Sequence, residues 1–227
     1  MSSTSIPTLL ALLCLAAVSA NAHMLMALPS TWGLTTDLEN PLNAGTPNFF
    51  CHGRQRPVNG PVTQIQAGGK LRVPIVCGEA IGNPQAGGST CVNDGDGVND
   101  YHQGGGCALS IAYTNDPKSV AEFTLFSVNH DCPKVGQSEI EFDVPGNLPA
   151  GDATMAWTWI PPASAATDEM YMNCASVRVN GQAGRLEGGR QLTNHMYAVP
   201  GFGTRNPRPI YRDVLPNGAL QLSVRQQ

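Results

Sequence analysis

Stretches in which apolar and polar residues alternate recur along the chain. The alternation is clearest in Glu139–Phe142 and in Met155–Trp159. Because successive side chains of a β-strand point to opposite faces, a period of two predicts half-buried strands. Strands are predicted at residues 70–77, 107–114, 120–128, 138–144, 153–160 and 170–179, with a further short candidate at 219–224.

Turn-forming residues separate these strands, since the chain contains 25 Gly and 18 Pro. Several short strands with turn signals between them predict an all-β chain folded as a β-sandwich with long loops. Residues 24–51 are predicted to be loop, and residues 78–106 form a second long loop rich in Gly, Asn and Asp. Loops of that length are usually functional or loosely held. Pro74, inside the first strand, predicts an edge strand or a bulge.

An apolar run lies at the amino terminus. Ile6–Val18 is too short to span a bilayer, and the small residues Ala20 and Ala22 give the A-x-A pattern after which signal peptidase cuts. We therefore predict a signal peptide over residues 1–22 and a soluble, secreted mature chain that begins with His23. A free α-amine has a pKa of about 7.7–8.0, so an amino-terminal histidine can offer a metal both its amine and its ring. Taken alone, His23 is better explained as an accident of cleavage.

The 205 residues that remain after cleavage are enough for one domain with a substantial core. We assign residues 23–180 to the sandwich and residues 181–227 to a Gly-, Arg- and Pro-rich extension that either packs on the domain or trails from it. Only 13% of the residues are charged, the net charge is −4, and no basic run is present. This pattern argues against nucleic acid or a membrane as partner, and we expect a monomer.

Six cysteines follow the predicted cleavage site. An even number in a secreted chain predicts three disulfides, for which 15 connectivities exist. A zinc site would favour close C-x-x-C pairs, which this sequence lacks. The pairs predicted from proximity in sequence are Cys107–Cys132 and Cys77–Cys91, which would leave Cys51–Cys174.

Two further stretches carry residues suited to metal chemistry. His102 precedes three glycines, which let the backbone approach closely and leave space beside the imidazole. The simpler interpretation is an exposed loop histidine. Farther along, Glu169, Tyr171 and Asn173 share one face of a predicted strand, and two Met and a Cys share the other. The apolar face predicts core, so the opposite face presents a carboxylate beside a phenol, unless it is merely a polar surface.

Together these residues resemble a known family. The features that carry the resemblance are His23 after the signal peptide, His102 with its glycines, Trp157-Thr158-Trp159 and the segment Glu169–Cys174. Their order is similar to that in the fungal lytic polysaccharide monooxygenases, with the chitin-active auxiliary-activity family eleven as the most similar branch. The resemblance runs to about Val179. It implies an immunoglobulin- or fibronectin III-like sandwich with one copper ion on a flat face.

The resemblance also implies a role for each site residue. Copper would be held by the amine and ring of His23 and by the ring of His102, with Tyr171 as axial ligand and Glu169 as the acid that positions the oxygen species. Imidazole and amine nitrogens suit copper. The implied activity is oxidative cleavage of glycosidic bonds in an insoluble polysaccharide, chitin first and cellulose second. An external electron donor and peroxide or oxygen would be the co-substrates.

Two other functions fit parts of the sequence. One is a non-catalytic copper-binding cell-wall protein with the same histidine ligands, and the other is a carbohydrate-binding or coat protein. Glu169 beside Tyr171 favours the enzyme, because a carrier has no need of an acid next to an open copper position. The carboxylates Glu139 and Glu141 share one strand face, but we expect that face to be solvated, so they give little support to hydrolysis.

Overall fold

The computed structural model describes residues 24–42, 50–77, 102–134, 136–162, 169–192 and 210–227. Within those ranges the structure is mostly β, with one short helix, α1, and three 3-10 turns at 36–39, 51–53 and 120–122. The strands are β1 (Met24–Met26), β2 (Thr63–Gln66), β3 (Lys70–Cys77), β4 (Cys107–Ala112), β5 (Thr124–Asn129), β6 (Glu139–Asp143), β7 (Gly151–Trp159), β8 (Tyr171–Asn180), β9 (Arg185–Leu186), β10 (Arg190–Gln191), β11 (Gly218–Ala219) and β12 (Val224–Arg225), and α1 is Tyr211–Val214. None of the helices described is long and apolar enough to cross a membrane.

The strands form two main sheets. The larger has the order β10-β5-β4-β7-β8-β2, with β11 also paired to β5, and the smaller has the order β1-β3-β6. Neighbours are antiparallel except β2, which runs parallel to β8. Side chains from both sheets meet in one core, for example Val73 and Phe142 from the smaller sheet and Leu109 and Trp157 from the larger. The predicted β-sandwich is therefore confirmed.

The larger sheet is buried on both faces. Its outer face forms a second apolar cluster that contains Ala108 and Met172 and is covered by loop residues such as Trp32, Leu192 and Tyr211. As a result β7 and β8 are buried along most of their length. By contrast β6 alternates between exposed and buried positions, which is the pattern expected of a strand with one solvated face.

The exposed face of β6 carries charges. Glu139, Glu141 and Asp143 point to solvent and form ion pairs with Lys70 and Arg72 on the neighbouring strand β3. The expectation that Glu139 and Glu141 lie on a solvated face is thus confirmed.

The six longer predicted strands are all present, as β3 to β8, with small shifts of their ends. Thr124 begins β5 four residues later than predicted, because Val120–Glu122 form a 3-10 turn capped reciprocally by Ser119 and Glu122. Four strands were not predicted, namely β1, β2, β9 and β10. Met24–Met26 was expected to be loop, since three apolar residues show no alternation, and β2 was not recognised at all. The candidate strand at 219–224 was wrong, because two separate short strands lie there: β11 pairs with β5 and β12 pairs with β9.

The interpretation of Pro74 was wrong. It lies in β3, the middle strand of the smaller sheet. Residues 70–74 of β3 pair with β6, and residues 75–77 pair with β1, so proline stands where the partner strand changes. Its carbonyl accepts a hydrogen bond from Ala27 N–H at 2.8 Å. The missing N–H of proline therefore falls at the end of a ladder and leaves no central bond unmade.

Two of the three predicted disulfides are present. Cys51–Cys174 joins the 3-10 turn at 51–53 to β8, and Cys107–Cys132 joins the start of β4 to the loop after β5. Cys91 lies outside the described residues, so its pairing with Cys77 stays a prediction.

The described parts of residues 181–227 pack on the sandwich. Strands β10 and β11 extend the larger sheet along β5, and Leu192, Tyr211 and Leu222 are buried. The predicted signal peptide, residues 1–22, lies outside the described residues.

Candidate active site

The floor of the site is made where β7 ends and β8 begins. Trp159 and Tyr171 are directly opposite each other in the antiparallel register, and both are buried. Their rings stack with centroids 4.4 Å apart and an interplanar angle of 24°. Aromatic pairs of this kind contribute about 0.5–1.5 kcal/mol beyond the burial of their surface. The phenol of Tyr171 is therefore held in one place by the sheet itself.

The predicted site histidine lies in a turn of unusual backbone. His102 and Gln103 have φ of 41° and 62°, and the three glycines that follow have φ of 87°, 111° and 97°. A Cβ on Gly105 would lie 2.2 Å from the carbonyl oxygen of Ile160, so no other residue fits there. The indole N–H of Trp159 donates to Gly104 O at 2.7 Å. This bond fixes the turn above the floor, and the imidazole ring of His102 stacks on Trp159 with centroids 5.5 Å apart.

Three polar side chains converge at this point. His102 Nε2 lies 3.1 Å from Tyr171 Oη and 3.4 Å from Glu169 Oε2. The phenol of Tyr171 donates to Glu169 Oε2 at 2.7 Å. The side chains of His102 and Glu169 are 13% and 26% exposed, whereas Tyr171 beneath them is buried. The cluster therefore reaches the surface at His102 and Glu169. An imidazole nitrogen, a phenol oxygen and a carboxylate thus face one small volume.

The amino-terminal strand is fastened next to this cluster. Asn173 follows Tyr171 on the same face of β8, and its side chain bonds to two backbone groups of the amino-terminal segment. Its Oδ1 accepts from Met26 N–H at 2.8 Å, and its Nδ2 donates to Leu38 O at 2.8 Å. Met24, the residue after His23, is buried in the core that also contains Tyr171. The described residues begin at Met24, so the position of His23 stays a prediction.

The structure therefore brings together three of the four predicted site residues, His102, Tyr171 and Glu169. The alternative in which Glu169, Tyr171 and Asn173 form a polar surface is wrong. Their face of β8 is the interior of the sandwich, and Tyr171 and Asn173 are 1% and 2% exposed. An exposed loop position for His102 is also wrong, because its ring stacks on Trp159 and is largely covered.

Sequence reasoning missed the residues that hold the site. The indole of Trp159 anchors the turn, and Asn173 anchors the amino-terminal segment. A single Asn inside an otherwise apolar strand was a usable signal, because a buried amide needs hydrogen-bond partners. Nothing in the local sequence marks the partner of a tryptophan N–H.

The donor set suits copper in part. Among the residues described, no three His, Cys, Asp or Glu side chains are grouped closely enough to hold a metal ion. The imidazole of His102 and the phenol of Tyr171 are nonetheless ligands of the type that Cu(II) accepts. Further nitrogen ligands would have to come from outside the described residues, and His23 is the sequence-predicted source.

The sequence family described as lytic polysaccharide monooxygenase AA14 matches residues 49–186. The chain is 28% identical to the AA14 family lytic polysaccharide monooxygenase A of Trametes coccinea, covering 90% of this chain and 54% of that protein. It is 29% identical to an AA11 family lytic polysaccharide monooxygenase A of Aspergillus fumigatus, covering 65% of this chain and 55% of that protein. The chain spans about half the length of these curated relatives.

A solved structure with a similar fold is the extended catalytic domain of H. jecorina LPMO9A, also called EG4. The TM-score is 0.52 at 15% sequence identity, and the alignment covers 86% of this chain and 83% of that one. At this identity the likeness shows the fold alone.

Proposed function

Because the chain belongs to the AA14 family of lytic polysaccharide monooxygenases, we propose that it is a copper-dependent enzyme that oxidatively cleaves glycosidic bonds in an insoluble polysaccharide. The single observation that carries the proposal is the convergence of His102 Nε2, Tyr171 Oη and Glu169 Oε2. The predicted class, a fungal lytic polysaccharide monooxygenase, is confirmed. The family model that matches is that of AA14, while AA11 enzymes are also among the similar proteins. Chitin first and cellulose second stay our proposed substrates.

The residues that would hold the copper ion are His23, through its amine and ring, His102, through its ring, and Tyr171, through its phenol. Members of this family are copper-dependent, and copper supplies the activation of oxygen or peroxide when it is bound. The anchoring of Met26 by Asn173 supports this ligand set, because it holds the strand that follows His23 against the strand that carries Tyr171. A ligand at residue 23 would then approach with little freedom.

His102 has to present a lone pair at Nε2 in order to bind a metal. In the arrangement described, the phenol proton of Tyr171 is donated to Glu169, so the phenol oxygen can accept a bond from His102 Nε2–H. Metal binding would therefore require the Nε2 proton to leave and the ring proton to sit on Nδ1. The stacking of the ring on Trp159 keeps its plane fixed while that change occurs.

Glu169 is the residue we propose to hold and move a proton. Its Oε2 accepts from Tyr171 and lies 3.4 Å from His102 Nε2, so it can reach a small oxygen species held beside that nitrogen. A carboxyl group in that position can accept or return a proton at Oε2 without a change of backbone. The copper-carrier alternative gives this carboxylate no task.

We also propose that residues 1–22 are a signal peptide and that the chain is secreted with His23 as its first residue, forming one domain with the packed segment that follows residue 180. The presence of two disulfides agrees with an oxidising compartment.

The test is an activity assay on mature protein that begins with His23 and is loaded with one equivalent of copper. The protein is incubated with an electron donor and peroxide on β-chitin, α-chitin and cellulose, and the soluble products are analysed by mass spectrometry. We expect oxidised oligosaccharides from at least one substrate and none from metal-free protein. Tight copper binding with no product on any substrate would favour the carrier, and failure to bind copper would refute the copper site altogether.

A further inference from the structure

The turn that presents His102 is costly for the chain to form. Its five consecutive residues, 102–106, all have positive φ, and two of them are not glycine. Backbone in such regions persists only where surrounding structure over-determines it. The three glycines of the turn are hydrogen-bonded to three different parts of the described structure, namely the end of β7, the loop after β5 and α1.

Two of the three contacts come from the sandwich itself. The indole N–H of Trp159 donates to Gly104 O at 2.7 Å, and Gly106 N–H donates to Cys132 O at 2.8 Å. The third comes from the carboxyl-terminal segment, where the backbone N–H of Arg212 in α1 donates to Gly105 O at 3.2 Å. This donor is one of the first N–H groups of a helix, which have no partner inside the helix.

Helix α1 is pressed directly onto the turn. A Cβ on Gly106 would lie 3.0 Å from Arg212 N and 3.1 Å from Tyr211 Cβ. The side chain of Tyr211 is fully buried, and its hydroxyl lies 2.6 Å from the hydroxyl of Thr158 on β7. Thr158 is the residue before Trp159. Tyr211 therefore fastens α1 to the strand whose next residue holds the other side of the turn.

We infer that Tyr211 is a positioning residue for the metal-binding imidazole of His102. It acts through the Arg212 N–H, which donates to Gly105 O, and through its own packing against Gly106. Tyr211 lies outside the residues 49–186 matched to the family. This inference rests on the proposed function only in taking His102 as a copper ligand. The segment at residues 210–214 is thus part of the support of the active site.

The matched pair of variants for the test is Tyr211→Phe and Tyr113→Phe. Each removes one phenol hydroxyl, but the hydroxyl of Tyr113 donates to Pro149 O at the far end of the sandwich. Thr158→Val is a second variant that removes the other partner of the Tyr211 bond. All three keep the ring or the branched shape, so the folded protein can be measured.

The first measurement is hydrogen exchange by NMR on metal-free protein. In Tyr211→Phe we expect the Arg212 amide and the Trp159 indole N–H to exchange about tenfold faster, the factor that loss of one ordinary buried hydrogen bond corresponds to. Tyr113→Phe should leave both unchanged. Thr158→Val should show at least the Tyr211→Phe effect, since it also removes the 3.4 Å bond from Thr158 Oγ1 to Ala108 O. The double variant should exchange like Thr158→Val alone, because the bond to Tyr211 is already lost there.

The second measurement is copper binding by calorimetry, with the EPR spectrum of the copper-loaded protein. Tyr211→Phe should weaken copper several-fold and change the spectrum, whereas Tyr113→Phe should alter neither. If only the Arg212 amide responds, while the Trp159 indole, the copper affinity and the spectrum stay as in the parent, Tyr211 is merely structural and the inference is wrong. If the parent protein itself binds no copper, the proposed function fails, while the exchange data on metal-free protein still decide whether Tyr211 holds the turn.

Discussion

Trp159 and Tyr171 form a stacked pair across β7 and β8, with ring centroids 4.4 Å apart, and the indole N–H of Trp159 also donates to Gly104 O at 2.7 Å. One side chain thus links the phenol of the site to the turn that carries its histidine. The pairing of β7 with β8 holds Trp159 against Tyr171. The hydrogen bond to Gly104 O holds Trp159 to the turn.

Replacing Trp159 by Phe should keep an aromatic ring on Tyr171 but remove the bond to Gly104. The matched control is Trp157→Phe, since the buried indole N–H of Trp157 has no hydrogen-bond partner among the described residues. Both tryptophans are fully buried, so the two variants remove the same amount of buried apolar side chain and differ by the one hydrogen bond. In urea unfolding, Trp159→Phe should therefore be about 1–2 kcal/mol less stable than Trp157→Phe. Copper affinity should fall only in Trp159→Phe. Equal losses in the two variants would contradict the anchoring role of the bond.

Glu169→Gln keeps the size of the side chain and removes its acid. Copper affinity should change little, whereas release of oxidised oligosaccharides should fall by about 100-fold or more, the scale of general acid–base contributions. The control is Glu141→Gln, an exposed carboxylate paired with Lys70 on β3. Equal product release by Glu169→Gln and the parent would remove Glu169 from the chemistry.

An extra Met ahead of His23 should weaken copper by more than about 100-fold. An amide nitrogen has no lone pair available to a metal at neutral pH, so one of three nitrogen ligands is lost, and even outer partners of metal ligands are worth about 10–100-fold. Calorimetry at one pH compares the extended protein with the same sample after an aminopeptidase has removed the Met. The processed form should also give an axial copper EPR spectrum that His102→Ala abolishes. Indistinguishable affinities for the extended and processed forms would show that the amine is not a ligand.

The free energy of unfolding should decrease as the pH is lowered below 6.5, because of His52. Burial lowers the pKa of His52 below its ordinary value of 6.5, while Asp37 and Arg54 act on it in opposite directions. Its Nε2 is buried without a partner among the residues described. Below pH 6.5 the His52 ring is therefore protonated in the unfolded chain but still neutral in the folded chain. The free energy of unfolding falls as the pH is lowered from 6.5 to the lowered pKa of the folded state.

His52→Asn removes this titration and keeps a residue that tolerates the φ of 52° found there. Urea unfolding at pH 7.5, 6.5 and 5.5 should show the parent losing stability relative to the variant by at most about 1.4 kcal/mol per pH unit below 6.5. Parallel pH profiles for parent and variant would mean that the ring protonates equally well in the folded protein.

The strands that could be predicted from sequence are those with a clear local pattern. β6 was predicted within one residue of its ends, because its exposed carboxylates alternate with Ile140 and Phe142. β1 could not be, since three apolar residues carry no period, and its pairing with β3 joins residues about fifty positions apart. The chemistry-bearing types at His102, Glu169 and Tyr171, and two disulfide pairs, were likewise visible in the sequence.

The way in which those residues are held depends on contacts between distant parts of the chain. The bonds from Trp159 to Gly104, from Asn173 to Met26 and from Tyr211 to Thr158 join positions 55, 147 and 53 residues apart. Local propensity has no information about such partners, because they are chosen by the packing of sheets and loops around them. The amino-acid sequence sets which side chains are available for chemistry. The packing makes the face bearing Tyr171 interior, because the smaller sheet covers it, while His102 and Glu169 at the end of that face stay partly exposed.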